Sequence, residues 1–288
     1  MLRLRKDQML FPGGRKKAFT LSYDDGVTQD ERFIKMLRER ELKATFNLNT
    51  GLMGDLDMLQ QGGGECTHYK FTSQQAELIY RGFEVAVHSQ THPNLVTVAE
   101  PMIAWEIAEN KKELEDLIRH PVCGMAYPMG TFDRKVENVA KMCGITYART
   151  TKSTQLFGIP DDFMEWHPTC HHTEECLKQL AENFVEETFV QKGQGTFPAL
   201  FYVWGHSYEF DLYCGWKRME AFLDYMAGHA DIWYATNMEI CRYVQAFRQL
   251  NYSATGDYVE NPTCLDIWLK ADGRKYCIPA GECVTIRK

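Results

Sequence analysis

Short apolar runs of strand length alternate with amphipathic helical runs along most of the chain, and this alternation restricts the fold more than any other feature. Residues 18–23, 44–48, 84–87, 124–127, 146–148, 199–204 and 232–235 read as strands. Segments 30–39, 101–119, 134–142, 174–187, 217–226 and 237–250 space their apolar residues as helices do, with Phe33, Met36 and Leu37 on one face of the first. Thr72 and Gln75 form a capping box that starts a further helix. The stretch 50–71, with Gly62, Gly63 and Gly64, reads as a loop. Repeated β-α units imply parallel strands, in a doubly wound sheet or a barrel. Seven units over 250 of the 288 residues point to an α/β barrel of the TIM type that is short by one strand.

From Asn251 onward the helical period disappears. Residues 264–269 and 275–278 flank Ala271-Asp272-Gly273 as a hairpin around an Asp-Gly turn, and 284–286 reads as a third strand. The expected organisation is a barrel domain over 1–250 and a small β appendage over 251–288, packed on the barrel.

Composition narrows the partners. Hydrophobic residues at 44% supply a full core, and a net charge of −7 argues against nucleic acid. No run of about 18 apolar residues occurs, so no membrane span is expected. The basic N-terminal residues are not followed by an apolar stretch, so the expectation is a cytoplasmic protein without an export signal. The ten cysteines, none in a C-x-x-C pair, then read as reduced core thiols.

Five polar clusters each follow a strand-like run: Asp24-Asp25-Gly26, His88-Ser89-Gln90-Thr91-His92, Tyr127-Pro128-Met129-Gly130, Arg149, and Gly205-His206. In β/α barrels that end of the strands carries the active site. His88 and His92 point the same way if their segment makes a helical turn, and Asp25 adds a carboxylate from another strand end. Two imidazoles and one carboxylate suit one divalent metal ion, Zn²⁺ first, with Co²⁺, Ni²⁺ and Mn²⁺ equally compatible in chemistry. Asp24, facing away from its neighbour, is placed to take a proton from water. His206, on a different strand, is placed to give one to a leaving amine. A charged imidazole needs an anion beside it, and Asp162 and Glu165, or Glu209 and Asp211, are the candidates. The plainer readings are an ordinary Asp-Asp-Gly turn, a hydrogen-bonded His pair and a buried structural His206. A second metal at Cys170-His171-His172 with Cys176 fits no common zinc spacing. His68 falls in the glycine-rich stretch, which either covers the pocket or is solvated.

These residues together resemble the polysaccharide deacetylases of the NodB-homology type, carbohydrate esterase family four, over roughly residues 17–240. Ser22-Tyr23-Asp24-Asp25-Gly26 resembles the first motif of that family, T-F-D-D-G, and His88–His92 matches the second, H-S/T-x-x-H. The third, R-x-P-Y-G, is partial, with Ala126 in place of Arg and Met129 in place of Tyr. Asp162-x-x-Glu165-Trp166 is similar to the fourth, and Tyr202–His206 to the fifth.

The resemblance implies a distorted (β/α)7 barrel. It implies Asp24 as general base, Asp25, His88 and His92 as metal ligands, and the backbone N–H of Met129 at the oxyanion. Since the motif-three Arg is missing, Arg149 is expected to take over its pairing with Asp24. Tyr127, Trp166, Trp204 and Tyr208 are candidates for a sugar-stacking wall. The implied activity is metal-dependent removal of N-acetyl groups from an amino-sugar glycan or oligosaccharide, a hydrolysis of a non-peptide carbon–nitrogen bond. The rival readings are hydrolysis of a cyclic amide such as allantoin, and a carbohydrate-binding barrel without catalysis.

Overall fold

The structure, a computed structural model, describes residues 8–61 and 64–286. Residues 1–7, on which the export-signal reading rests, and the Gly62-Gly63 pair lie outside them. The chain begins with β1 (Met9–Leu10), β2 (Lys17–Asp24), α1 (Asp30–Glu39) and β3 (Thr45–Leu48). Next come β4 (Leu56–Gln61), β5 (Gly64–Tyr69), α2 (Ser73–Ile79), β6 (Glu84–Val87), α3 (Glu100–Ile118), β7 (Gly124–Ala126), α4 (Arg134–Met142) and β8 (Tyr147–Arg149). The second half adds β9 (Cys170–His171), α5 (Leu177–Val185), β10 (Ala199–Gly205), α6 (Glu209–Leu212), α7 (Trp216–Met226), β11 (Ile232–Tyr234) and α8 (Asn237–Arg248). The tail holds β12 (Asn251–Tyr252), β13 (Tyr258–Glu260), β14 (Ile267–Ala271), β15 (Arg274–Ile278) and β16 (Cys283–Thr285).

Seven parallel strands curl in the order β8-β7-β6-β3-β2-β10-β9. Trp166 bridges in parallel to Arg149, and the bonds Trp166 N to Ala148 O and Thr169 N to Tyr202 O tie residues 166–171 to both β8 and β10. The sheet thus returns on itself as a distorted (β/α)7 barrel. One expected strand changes place. The run at 232–235 forms β11, which pairs only with the first residues of β2. The strand that completes the curl is the segment ending in β9, which has no long apolar run to announce it.

β2 is buried at all eight positions, and its period of two sorts them. Phe19, Leu21 and Tyr23 face the surrounding helices, in one core with Phe33, Leu37 and Phe222. Thr20, Ser22 and Asp24 alternate with them and bond inward, Thr20 to Asn237 (2.9 Å) and Ser22 to Asn47 (2.8 Å). The inside of the barrel is therefore polar toward the C-terminal strand ends. Below, Ala18, Leu200, Tyr202 and Trp166 join α8 and the tail residues Ile267, Leu269 and Ile278 in a second core.

The stretch 50–71 is not a loop: β4 and β5 pair as an antiparallel hairpin from Leu56↔Tyr69 to Gln61↔Gly64. Cys66 packs with Val27, Tyr208 and Leu212 in a small cluster that anchors the hairpin beside α6. In the tail, β14 and β15 turn at Asp272 (φ 48°) and Gly273 (φ 80°), the pair of positive φ values that a two-residue hairpin needs. β16 pairs with β13 rather than with that hairpin, and β1 joins β14 from the other end of the chain. All ten cysteines are free thiols, but Cys214, Cys264 and Cys283 are exposed, so not all are core residues. No helix among the described residues is long and apolar enough to cross a membrane.

Candidate metal centre and acid–base pair

Each strand-end cluster reaches the same rim. Asp24 closes β2 and is buried. Its Oδ1 accepts from Asn47 Nδ2 (2.8 Å), and its Oδ2 pairs with the fully buried Arg149 at the end of β8. Arg149 also lies over the Trp204 ring, 4.4 Å from its centroid. Burial would raise the Asp24 carboxyl, but Arg149, with His88 and His206, holds it below the usual carboxylate range. The Asp24–Arg149 pairing expected from strand-end position is present, across 125 residues of sequence.

Asp25 turns away from Asp24 through a left-handed backbone (φ 81°). Its carboxylate meets His68 Nε2 at 3.3 Å, and its carbonyl accepts from Lys70 Nζ (2.9 Å). Burial opposes ionisation of Asp25, yet the His68 hydrogen bond, Lys70 and the nearby imidazoles hold its carboxyl well below the ordinary value. His68 and Lys70 both lie on the β5 side of the hairpin and were not assigned a role from sequence. Their only sequence signal was two basic residues flanking an aromatic in a stretch read as a loop.

His88 follows β6 and is buried. Its Nδ1 donates to Ala126 O (2.9 Å), which leaves Nε2 toward the carboxylates, 3.8 Å from both Asp24 Oδ2 and Asp25 Oδ1. Burial lowers its pKa to about 4, so it is a neutral imidazole at neutral pH. His92 comes back beside it, ring centroids 4.8 Å apart. The segment between them is not a helical turn. Ser89 (φ 64°) and His92 (φ 57°) are both left-handed, and Ser89 Oγ accepts from His92 N (3.0 Å). Asn49, just after β3, and Glu106 from α3 hold this bend, Asn49 by the carbonyls of His88 and Ser89 and Glu106 by Thr91 N and Oγ1. Non-glycine residues in that backbone region cost about 1–3 kcal/mol each, and they persist where the surroundings over-determine them.

Ligand atoms of Asp25, His88 and His92 all lie within 4.8 Å of one another. A neutral His88 whose second nitrogen is committed to a carbonyl, with an ionised Asp25, is a donor set that fits a divalent ion.

His206 leaves β10 with Nε2 3.8 Å from Asp24 Oδ2. Its Nδ1 meets Glu209 Oε2 at 3.3 Å, and its backbone N–H donates to the same oxygen (3.0 Å). Burial disfavours the imidazolium, but the Glu209 hydrogen bond and the charges of Asp25 and Asp24 override it and lift the pKa to about 9. Of the four acids named from sequence, Glu209 is the partner. Asp162 instead caps the short helical turn at 163–165 through Met164 N (2.8 Å), and Glu165 has Glu137 and His167 as its titratable neighbours. Asp211 bonds Gln29 and Trp216.

The expected sugar wall is not assembled. Trp166 is buried among Tyr147, Phe163 and Tyr202 inside the barrel. Tyr127 is buried against Phe132, with its hydroxyl donating to Met164 O (3.0 Å). Trp204 and Tyr208 do reach the site, but as packing: Trp204 lies under Arg149, and Tyr208 stands between His68 and His206. Met129, by contrast, is 58% exposed on a left-handed turn (φ 57°) after β7.

The family model for polysaccharide deacetylases matches residues 12–148, the span that contains Asp24, Asp25, His88 and His92. Chitin deacetylase 1 of Cryptococcus neoformans var. grubii is 26% identical over 155 residues, covering 53% of this chain and 30% of that protein's length. Among solved structures, a putative polysaccharide deacetylase from Mycobacterium smegmatis superposes over 84% of this chain and 94% of its own, at 14% identity and a TM-score of 0.58. A mutant CE4 family pseudoenzyme with restored enzymatic activity, from Bacillus anthracis, covers 83% of this chain and 72% of its own, at 16% identity and a TM-score of 0.51. The likeness of fold and the matched residues agree: residues 12–148, with the strand-end residues Asp24, Asp25, His88 and His92, are similar to the polysaccharide deacetylase family model, and the chain shares its fold with the Mycobacterium smegmatis structure over most of its length.

Proposed function

We propose that the protein removes N-acetyl groups from an amino-sugar-containing glycan or oligosaccharide by metal-assisted hydrolysis. The observation that carries this reading is the division of labour around Asp24. On one side Asp25, His88 and His92 converge as ligands; on the other His206 stands charged. A divalent ion held there, Zn²⁺ first among those the set suits, would polarise the acetyl carbonyl and make water acidic enough to attack. Asp24, ionised and oriented by Arg149 and Asn47, accepts the proton from the attacking water. The backbone N–H of Met129 is the donor assigned to the developing oxyanion. His206, fixed through Nδ1 by Glu209, releases a proton from Nε2 to the departing amine. The names of the similar proteins support a glycan rather than a cyclic amide as substrate.

The test is acetate release from N-acetylglucosamine oligomers of increasing length, with the protein stripped by chelator and reloaded with single metals. Release that vanishes on stripping and returns on reloading supports the reading. No release from any oligomer, with allantoin hydrolysed instead, overturns it.

A further inference from the structure

A second histidine cluster lies behind the acid. His171 Nε2 is 3.1 Å and His172 Nε2 is 3.4 Å from Glu209 Oε2, and ligand atoms of the three residues all lie within 4.8 Å of one another. Ligands about 2.1 Å from a tetrahedral ion stand about 3.4 Å apart, so the two approaches to Glu209 are compatible with ligands of one ion.

An independent observation comes from His172. It is 4% exposed, yet neither ring nitrogen has a protein hydrogen-bond partner, and the 3.4 Å approach to Glu209 makes no hydrogen bond. A buried imidazole with two idle nitrogens costs free energy that a bound ion would recover. The chain also makes room for this ring: a Cβ at position 205 would stand 1.9 Å from His172 Nδ1, so Gly205 is required. A cavity of about 400 Å³ lined by His172, Glu209, Phe210 and Arg218 leads to the cluster from outside. The cysteines beside it in sequence take no part, since Cys170 is in the apolar core and Cys176 bonds Glu174.

We propose that His171, His172 and Glu209 form a second divalent-cation site, separate from the Asp25–His88–His92 set. Glu209 Oε2 is also the atom that holds His206. A cation there and His206 compete for one oxygen, so filling this site restrains the acid. That last clause rests on the deacetylase reading; the site itself does not.

The experiment loads chelator-stripped full-length protein with Zn²⁺ and counts bound metal after desalting, with Co²⁺ absorption as a second probe. Two equivalents are expected in the parent, one in His172→Asn and one in His92→Ala. A parent that binds a single equivalent, lost in His92→Ala and kept in His172→Asn, overturns the proposal. So does a His172→Asn protein that keeps two. Retention of the first equivalent shows that His172→Asn is folded. Acetate release in the parent is expected to fall severalfold as the second equivalent fills, and this fall is expected to disappear in His172→Asn. If no acetate is released at all, the deacetylase reading fails while the metal count still decides the site.

Discussion

The rim carries two histidine clusters built in different ways. At Asp25–His88–His92 each residue is held by its surroundings: His88 Nδ1 bonds Ala126 O, Asp25 bonds His68, and Asn49 and Glu106 hold the backbone of the bend. At His171–His172–Glu209 the support is uneven: His171 Nδ1 meets Thr173 Oγ1 at 2.7 Å, whereas His172 is left idle on both ring nitrogens. Every residue of the first cluster is held by bonds from its surroundings, whereas in the second the ring of His172 has none and approaches the carboxylate that His171 and His206 share. Asp24 and His206 stand between them, each linked to one side.

The strongest way to sharpen this contrast is Asp24→Asn, which keeps shape and removes the proposed base. Deacetylation is expected to fall by about 10²–10⁴-fold, with metal content unchanged. Retained activity in a folded Asp24→Asn protein would place the base elsewhere.

Arg149→Met tests the support on the other face of Asp24. It leaves a buried carboxylate without its partner, and a loss of about 3–5 kcal/mol is expected in denaturant unfolding, along with a drop in kcat. If activity and stability both survive, the pairing is not what orients Asp24.

His68→Ala addresses the hairpin's contribution to the first cluster. Removing a partner of the carboxylate proposed as a ligand is expected to weaken metal binding by about 10–100-fold, readable by competition with a chelator.

Glu209→Gln asks whether the second cluster serves His206. The acid acts when protonated, so with a pKa of about 9 the rate holds through neutral pH and falls as pH rises through that value. Without the Glu209 charge, the pKa drops toward the ordinary imidazole value of about 6.5. The basic limb of kcat/KM is therefore expected to move to lower pH. A limb that stays near 9 would break the link between the second cluster and the acid.

The smallest effect is expected from Trp166→Phe. Its ring lies inside the barrel, so KM for an oligomer is expected to change by less than about twofold, while stability falls modestly as in other core swaps. A large rise in KM would restore Trp166 to the sugar wall.

Much of the upper rim was legible in the sequence. Strand and helix periods are local properties, and Asp24-Asp25-Gly26 and His88–His92 fall directly after two strand-like runs. What did not show were features whose cause lies far along the chain. The closing strand at 166–171 is specified by backbone bonds to β8 and β10, not by its own period. Glycines made 50–71 read as a loop, although Leu56↔Tyr69 pairing builds a hairpin that brings His68 to Asp25.

By itself, then, the sequence determined a parallel α/β barrel, its polar strand ends and the residue types of one candidate metal centre, because periodicity and neighbour spacing depend on the local chain. Only the tertiary structure decided which aromatics were buried, which acid faces His206, and how the backbone carries His92 back to His88. Burial and ion pairing depend on what packs opposite. Tyr127 and Trp166 look like platforms in sequence, but the barrel curls around them, and Glu209 holds His206 because α6 begins three residues beyond it.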